Sequence, residues 1–162
     1  MENKQDNKKN PKRKQIRLKD FDYASPRPYL ITICSRNKES IFINEELNQL
    51  IIKCLMGEKE RTGFKLFVYC LMPNHLHLLL APSDKEISVP KFIGAFKSKT
   101  TRIAWDYGIS GKLWQARFHD RIVRKREDLK TIGQYLLDNP VRKGLSIKWQ
   151  DYKYLGIIDS WL

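Results

Sequence analysis

Cysteine is scarce in this chain, and its three cysteines, Cys34, Cys54 and Cys70, have no paired spacing. An odd number of unpaired cysteines argues against a disulfide framework and favours a reducing cytoplasm. Long hydrophobic runs are missing as well, because no stretch approaches the roughly 20 apolar residues of a membrane-spanning helix. No signal-peptide pattern follows Met1. We therefore expect no association with a membrane.

Acidic residues are few relative to basic ones. The chain of 162 residues has 18 Asp or Glu against 31 Lys or Arg, a formal net charge of +13. Such an excess indicates a polyanionic partner, nucleic acid before a membrane surface. Residues 1–19 hold eight Lys or Arg and only Glu2 and Asp6, so we expect residues 1–20 to be a disordered basic arm. That arm is either a solubilising tail or a phosphate binder.

Hydrophobic patterns predict an alternation of strands and helices after this arm. The length suits one domain, which we place at residues 21–145, followed by an aromatic extension over 146–162 that packs on the sheet or binds a DNA hairpin. The order predicts an α+β, ferredoxin-like split βαβ fold, with one antiparallel sheet, helices on one face and an added C-terminal helix. The predicted strands span 29–34, 64–71, 75–81 and 118–124, and the predicted helices 45–61, 88–107 and 127–138.

Two of the three histidines, His75 and His77, lie immediately before a run of leucines. On a strand, side chains alternate between faces, so both imidazoles point the same way with backbones ~7 Å apart. This spacing lets two imidazoles bind one metal ion. The alternative is a pair of core histidines that are satisfied by hydrogen bonds.

Tyr135 and Asn139 are four residues apart and share one face of the last predicted helix. A tyrosine phenol, once activated, is a nucleophile that can form a covalent phosphodiester link. The Asn139 amide oxygen could add a third ligand to His75 and His77, an open donor set that fits Mg²⁺ or Mn²⁺ better than a closed zinc site. The alternative is a helix whose tyrosine packs in the core and whose asparagine forms a C-terminal cap.

Two segments of the chain resemble motifs of one enzyme family. The run from Met72 to Leu79, MPNHLHLL, is similar to the histidine–hydrophobe–histidine motif of the HUH nucleases. The run from Tyr135 to Leu145, YLLDNPVRKGL, is similar to the nucleophile helix of their single-tyrosine transposase branch, in particular the REP-associated tyrosine transposases. Further similar segments occur in the same order as in the family, at 29–42, 96–98, 113–115 and 118–124.

The resemblance implies a metal-dependent transposase that cleaves and rejoins single-stranded DNA at hairpin-forming repeats. Tyr135 would attack a phosphodiester and leave a 5′-phosphotyrosine link and a free 3′-hydroxyl. His75, His77 and Asn139 would hold the divalent ion, Mg²⁺ or Mn²⁺. The resemblance also implies a cytoplasmic, bacterial-type protein that associates with the nucleoid through DNA, as a monomer or a homodimer.

A group of basic, polar and aromatic residues is predicted to contact DNA without taking part in the chemistry. Lys and Arg side chains that bind phosphates set position without reading sequence, and an aromatic ring in a loop can stack on an unpaired base. Trp114 is the favoured stacking residue because it lies in a predicted loop, whereas Trp105 has the spacing of a packed helical residue. The predicted DNA-binding set is Lys97, Ser98, Trp114, Arg121, Arg124, Lys125, Arg126 and Arg142.

Two other functions stay open. An HUH replication initiator or relaxase shares the histidine pair and the tyrosine, but this short chain shows no helicase domain. A non-catalytic single-stranded nucleic-acid-binding module, on a scaffold like that of RNA-recognition domains, explains the charge. It gives no reason for His75, His77, Tyr135 and Asn139 to occur together.

Overall fold

A five-stranded antiparallel sheet forms the centre of the protein. The computed structural model describes residues 21–83, 86–124 and 126–160. The strands are β1 (Tyr29–Cys34), β2 (Lys65–Met72), β3 (His75–Ala81), β4 (His119–Ile122) and β5 (Leu155–Ile157), and the helices are α1 (Glu45–Thr62), α2 (Val89–Trp105), α3 (Arg126–Leu137) and α4 (Asn139–Arg142). The strands lie in the order β4-β1-β3-β2-β5. The predicted α+β fold is confirmed.

Local signals set the ends of the helices. The side chain of Asn44 accepts a hydrogen bond from the Leu47 N–H at 3.0 Å and caps the start of α1. The helix ends at Gly63, whose φ of 68° lies in the left-handed region that glycine adopts without strain. Near the C-terminus, α3 ends at Leu137 and the chain resumes as α4, with Pro140 in its first turn.

Alternation along the strands gives the sheet two different faces. Odd positions of β1 and even positions of β3 face α1 and α2 and form the larger core. The other face carries a smaller core beneath α3, which is the added helix that the sequence predicts. Leucine and isoleucine dominate both layers: the larger core includes Ile31, Ile33, Leu76, Leu78 and Leu80, and the smaller one includes Leu79, Leu129, Ile132 and Leu136.

An irregularity in β2 lets that strand serve both cores. Leu66 pairs with Leu80 and Val68 pairs with Leu79, so Phe67 is an extra residue in the ladder. Phe67 and Val68 both belong to the smaller core as a result. Beyond this bulge, the register pairs Cys70 with His77.

The aromatic extension adds an edge strand to the sheet. The N–H of Leu71 donates to the carbonyl of Tyr154 at 2.8 Å, and the hydroxyl of Tyr152 donates to the carbonyl of Leu71 at 2.8 Å. β5 then pairs with β2, where Gly156 lies against the ring of Tyr69. A Cβ at this glycine would lie 2.4 Å from the ring, so the close approach requires glycine. Three residues with a central glycine give no periodic signal, which is why the sequence does not predict β5.

Among the described residues, no helix combines the length and the hydropathy that crossing a bilayer requires.

A buried carboxylate links α1 to α2. The Glu58 side chain is 1% exposed and accepts hydrogen bonds from Arg61 of α1 (2.7 Å) and from Lys99 of α2. Burial raises the pKa of Glu58, but the hydrogen bonds and charges of Arg61 and Lys99 outweigh it and hold the pKa below its usual value. Glu58 is therefore a negative charge in the folded protein.

We expect Glu58→Gln to lower the free energy of unfolding at neutral pH by about 1–3 kcal/mol, because the negative charge and one of the two acceptor oxygens for Arg61 and Lys99 are lost. A folded-state pKa below the unfolded one gives stability that is present above the unfolded value and is lost as the pH falls through the folded value. Urea unfolding at several pH values should therefore show the two proteins converging below about pH 4. A difference that stays constant down to pH 3 would contradict this assignment.

Candidate metal centre and nucleophile helix

The two histidines of β3 converge on one point. His75 Nε2 lies 3.0 Å from His77 Nε2, with the ring planes 81° apart. His75 Nδ1 lies 2.6 Å from the Asn74 side-chain oxygen, and because this oxygen only accepts, the histidine carries its proton on Nδ1. The lone pair of His75 Nε2 is therefore directed at the partner ring. Such support of the outer nitrogen is what orients metal-binding histidines.

Thr32 supports the second histidine from the neighbouring strand. Its hydroxyl lies 2.9 Å from His77 Nδ1, and the two residues are partners in the β1–β3 register. In the ion-free state, His77 donates its Nε2–H to His75, so the Thr32 hydroxyl donates to Nδ1. If an ion occupied the point between the rings, His77 would carry its proton on Nδ1, and the same hydroxyl could accept it. A threonine satisfies both tautomers.

The imidazoles open into a cavity with a volume of ≈ 430 Å³. Two of its lining residues, Lys38 and Lys143, are cationic and none is acidic, so the cavity favours an anionic ligand. Lys143 and Leu145 bring the segment after α4 into its wall. The lining consists of Thr32, Cys34, Lys38, Ser40, Met72, Pro73, Asn74, His75, His77, Lys143 and Leu145.

Burial and nearby positive charge keep both histidines neutral. Burial lowers the pKa of His77 to about 3, with smaller contributions from His75 and Arg142. Burial lowers the pKa of His75 as well, aided by Lys143. The neutral imidazole is the form that binds a metal ion.

Tyr135 and Asn139 lie near one another at the junction of α3 and α4, where Arg142 contacts both. The Arg142 guanidinium lies 4.0 Å from the centre of the Tyr135 ring, and it donates to the Tyr135 carbonyl at 3.3 Å. The same group lies 3.5 Å from the Asn139 side-chain oxygen. Arg142 also acts electrostatically on His77, which relates this junction to the imidazoles.

The two residues differ in exposure. Tyr135 is 50% exposed, so its phenol is accessible to a macromolecular substrate, although the ring is not among the residues that line the histidine cavity. Asn139 is 4% exposed, and within the described part of the chain its Nδ2 has no hydrogen-bond partner. An unpartnered buried amide costs about 1–3 kcal/mol, and a ligand that this side chain helps to bind would explain it.

The donor set fits an open site for a hard divalent ion. No cluster of three or more His, Cys, Asp or Glu side chains occurs among the residues that the structure describes, which disfavours a closed zinc site. Cys70 faces the same side as His77, but its thiol is directed at Met72 Sδ, and burial raises its pKa to about 12. Two octahedral ligands, each about 2.1 Å from an ion, are about 3.0 Å apart, which is the separation of the two Nε2 atoms.

Comparison with known proteins shows the family of the chain. The sequence model described as "Transposase IS200 like" matches residues 27–139, a range that includes His75, His77, Tyr135 and Asn139. The chain belongs to the IS200-like transposase family. A candidate REP-associated tyrosine transposase of Haemophilus influenzae is 24% identical, over 82% of this chain and 81% of its own length. The resemblance that the two sequence motifs indicate is confirmed.

Solved structures share the fold of this transposase. The structure of a REP-associated tyrosine transposase bound to a REP hairpin superposes with a TM-score of 0.72 at 18% identity, over 86% of this chain and 81% of that one. A candidate transposase from Deinococcus radiodurans has a TM-score of 0.53 at 20% identity, over 74% of this chain and 95% of that one. At these identities the likeness concerns the fold.

The structure corrects the prediction that Trp114 stacks on DNA bases. Trp114 is 3% exposed and packs with its ring centre 4.7 Å from that of Phe42. Its indole N–H donates to the Thr100 hydroxyl at 2.8 Å, so the loop is folded into the core. Trp105, expected to be packed, is instead 54% exposed at the last residue of α2. Helical spacing alone misassigns it, because it is the last residue of α2 and its indole N–H bonds to Gly111 in the loop that follows.

Lys97 holds a loop together. Its ammonium donates to the carbonyls of Gln115 (2.7 Å), Ala116 (3.3 Å) and Arg117 (3.4 Å). These bonds occupy the three donors of a lysine, so the structure does not support the prediction that Lys97 contacts a DNA phosphate.

The other predicted DNA contacts remain predictions. Ser98, Arg121 and Arg124 are exposed, whereas Arg142 is engaged with Tyr135 and Asn139. Residues 1–20, Lys125 and the side chain of Arg126 lie outside the described residues.

Sequence reasoning missed Thr32 and Asn74 as residues that support the imidazoles. Thr32 is a hydroxyl in an otherwise apolar strand, on the face opposite the larger core. That break in the pattern is a usable signal, but linking it to His77 requires the β1–β3 register.

We expect Trp114→Ala to destabilise this transposase by about 3–5 kcal/mol, because it removes a large buried ring. Trp114→Phe keeps most of the packing but loses the hydrogen bond to Thr100, and should cost about 1–2 kcal/mol. The exposed Trp105→Phe serves as the control and should change the free energy of unfolding by less than about 1 kcal/mol. Denaturant unfolding measures all three, and a Trp114→Ala protein as stable as the control would refute the burial.

Proposed function

We propose that this transposase cleaves and rejoins single-stranded DNA through a covalent link to Tyr135. The arrangement that supports this is an exposed tyrosine whose ring contacts Arg142, which also lies against the side-chain oxygen of the buried Asn139. The charge of the same arginine acts on His77, one of two converging imidazoles. A metal-binding point, a phenol and a cationic cavity are the parts that phosphodiester transfer requires.

The substrate we propose is a DNA hairpin with unpaired flanks, from repeated sequences. Its basis is the name of the Haemophilus influenzae relative and the REP hairpin bound in the neighbouring structure. The charge of the cavity agrees, because Lys38 and Lys143 present cations to any strand that enters.

His75 and His77, through Nε2, and Asn139, through its amide oxygen, would hold a Mg²⁺ or Mn²⁺ ion. Such an ion would polarise a scissile phosphate and stabilise the charge that develops on it. Asn74 and Thr32 fix the orientation of the imidazoles from behind. The Asn139 Nδ2, which has no partner among the described residues, could then donate to a phosphate oxygen of the substrate.

The chemistry proceeds through the Tyr135 oxygen. It attacks phosphorus as the phenolic proton leaves to solvent, a Tyr–O–P bond forms, and the bond from phosphorus to the 3′ oxygen breaks. The departing 3′ oxygen takes up a proton and becomes a free hydroxyl, while the 5′ phosphate stays on the tyrosine. Arg142 lies over the ring and stabilises its negative charge during attack. Attack by a 3′-hydroxyl on the phosphotyrosine reverses these steps and rejoins DNA.

We expect Tyr135→Phe to abolish the covalent adduct while DNA affinity stays within about twofold of wild type, because only the reacting oxygen is removed. The assay incubates the full chain with a pool of hairpin oligonucleotides in Mn²⁺ and measures SDS-resistant complexes on a gel. Tyr107→Phe is the matched control. Its hydroxyl lies 3.5 Å from the carboxylate of Glu46 in α1, and it does not line the histidine cavity, so the adduct should persist. An adduct that survives Tyr135→Phe would exclude this tyrosine as the nucleophile.

His75→Ala, His77→Ala or EDTA should each stop cleavage. We also expect Thr32→Val to weaken Mn²⁺ binding by about 10–100-fold, because His77 loses the group that orients it. Calorimetric titration of Mn²⁺ without DNA measures this directly, and raised Mn²⁺ should restore adduct formation by Thr32→Val. Thr131→Val, on the exposed side of α3, is the control. Undiminished cleavage in EDTA would contradict metal dependence.

A further inference from the structure

A second cavity is connected to the histidine cavity by one backbone hydrogen bond. It has a volume of ≈ 540 Å³ and lies beside the C-terminal half of α2; its lining consists of Lys97, Ser98, Thr101, Arg102, Trp105, Lys112, Trp114, Gln115 and Ala116. We call it the α2 groove. Gln115 of the groove donates its N–H to the carbonyl of Cys34, which lines the histidine cavity, at 2.9 Å. One backbone hydrogen bond therefore joins a lining residue of each cavity.

An aromatic ring in the groove is exposed and held in place. Trp105 is 54% exposed, and its indole N–H donates to the carbonyl of Gly111 at 2.8 Å. Gly108 and Gly111 have φ values of 79° and 71°, which the tight return of this loop requires. Because the ring is already oriented, a flat ligand could stack on it with little loss of conformational entropy.

The charge of the groove has one sign. Arg102 and Lys112 are exposed cations in its lining, and no acidic residue is among the lining residues. Asp106 follows Trp105 in the chain but does not line the groove. Lys97 already donates hydrogen bonds to the loop carbonyls, so the cations that we assign to a ligand are Arg102 and Lys112. Their charge complements a phosphate backbone.

We propose that the α2 groove binds an unpaired nucleotide of the DNA strand that enters the histidine cavity, with its base stacked on Trp105 and its phosphates near Arg102 and Lys112. An exposed, fixed aromatic ring beside cations is the combination that binds single strands, and the volume is that of a small-molecule site. This inference rests on the proposed function, because it takes the strand from the same DNA.

The test compares hairpin oligonucleotides with and without a single-stranded flank, by fluorescence anisotropy on the full chain in EDTA. Trp105→Ala should weaken binding of the flanked hairpin by about 5- to 150-fold, the loss expected for one stacked base. Trp105→Phe should recover most of this affinity, and the unflanked hairpin should bind all three proteins equally. Ile158→Ala, which removes an exposed apolar side chain at the β5 edge, is the matched control and should have no effect.

Salt dependence tests the cations separately. Arg102→Gln and Lys112→Gln should each reduce the slope of log affinity against log salt concentration by about 0.7 for the flanked oligonucleotide. Lys91→Gln removes the same charge from an exposed position at the start of α2, outside the groove, and should leave the slope unchanged. Equal slopes in all three variants would overturn the phosphate contacts.

Photocrosslinking gives a readout that does not depend on a variant's folding. A flank that carries 5-iododeoxyuridine should attach to the wild-type peptide that contains Trp105, as identified by mass spectrometry. Crosslinks confined to other peptides, or equal affinity of Trp105→Ala and wild type, would overturn the inference. A change in sedimentation of Trp105→Ala without a change in DNA affinity would assign the groove to contact between copies of the chain instead.

The two proposals fail in different ways. If the groove inference alone is wrong, Trp105→Ala still forms the Tyr135 adduct and binds flanked DNA as wild type does. If the proposed chemistry alone is wrong, no adduct forms with wild type, although flanked DNA still binds in a Trp105-dependent way. If both are right, Trp105→Ala raises the DNA concentration needed for half-maximal adduct and leaves the saturating rate unchanged.

Discussion

The alternation of side chains along β3 is the constraint on which this structure depends. Leucines at the even positions of this strand pack beneath α1 and α2, and that burial fixes the register because a slip by one residue would place them on the wrong face. The same alternation puts His75 and His77 together on the other face, where Thr32 of β1 is the register partner of His77. The hydrophobic core therefore determines where the imidazoles lie, although it contains neither of them.

A second feature, the bulge in β2, keeps part of the opposite face of the sheet polar. A sheet face covered entirely by α3 would bury the imidazoles without access to a ligand. The bulge at Phe67 turns two successive apolar side chains of β2 toward α3 near one end of the sheet. The other end of that face is left to the histidines, and the break between α3 and α4 at Asp138 brings Arg142 and Lys143 close to them.

Much of the fold follows from local sequence signals, and much of the site does not. The caps at Asn44 and Gly63 and the alternation in β3 are short-range features, so the order of the first four strands and three helices is predictable. The positions of Trp105 and Trp114 depend on long-range contacts, since a loop becomes buried only where Ser35 bridges to it and a hydroxyl of α2 meets the indole. Local patterns carry no information about such contacts.

The predicted site residues can be found from the sequence because their chemistry constrains their spacing. The residues that contact and orient them cannot be found in this way. Two imidazoles that share a face need a spacing of two on a strand, and a tyrosine and an asparagine that share a face need a spacing of four on a helix. Nothing comparable links Thr32 to His77, which are 45 residues apart. The contact of Arg142 with Tyr135 also escapes a reading of the sequence, because it depends on how the chain turns after Asp138.

Burial of polar groups at this site opposes folding. The cost is offset by hydrogen bonds for the two histidines but, within the described part of the chain, not for the Nδ2 of Asn139. Both histidines lose hydration, but Asn74 and Thr32 satisfy their outer nitrogens, so most of the penalty is offset within the fold. Asn139 has no such compensation at its Nδ2 among the described residues. Replacing it with leucine would remove the unsatisfied group, so packing alone does not account for an asparagine here. A polar residue kept at a cost, together with imidazoles whose pKa is lowered by burial and, less strongly, by Lys143 and Arg142, is the pattern of a site arranged for a ligand rather than for stability.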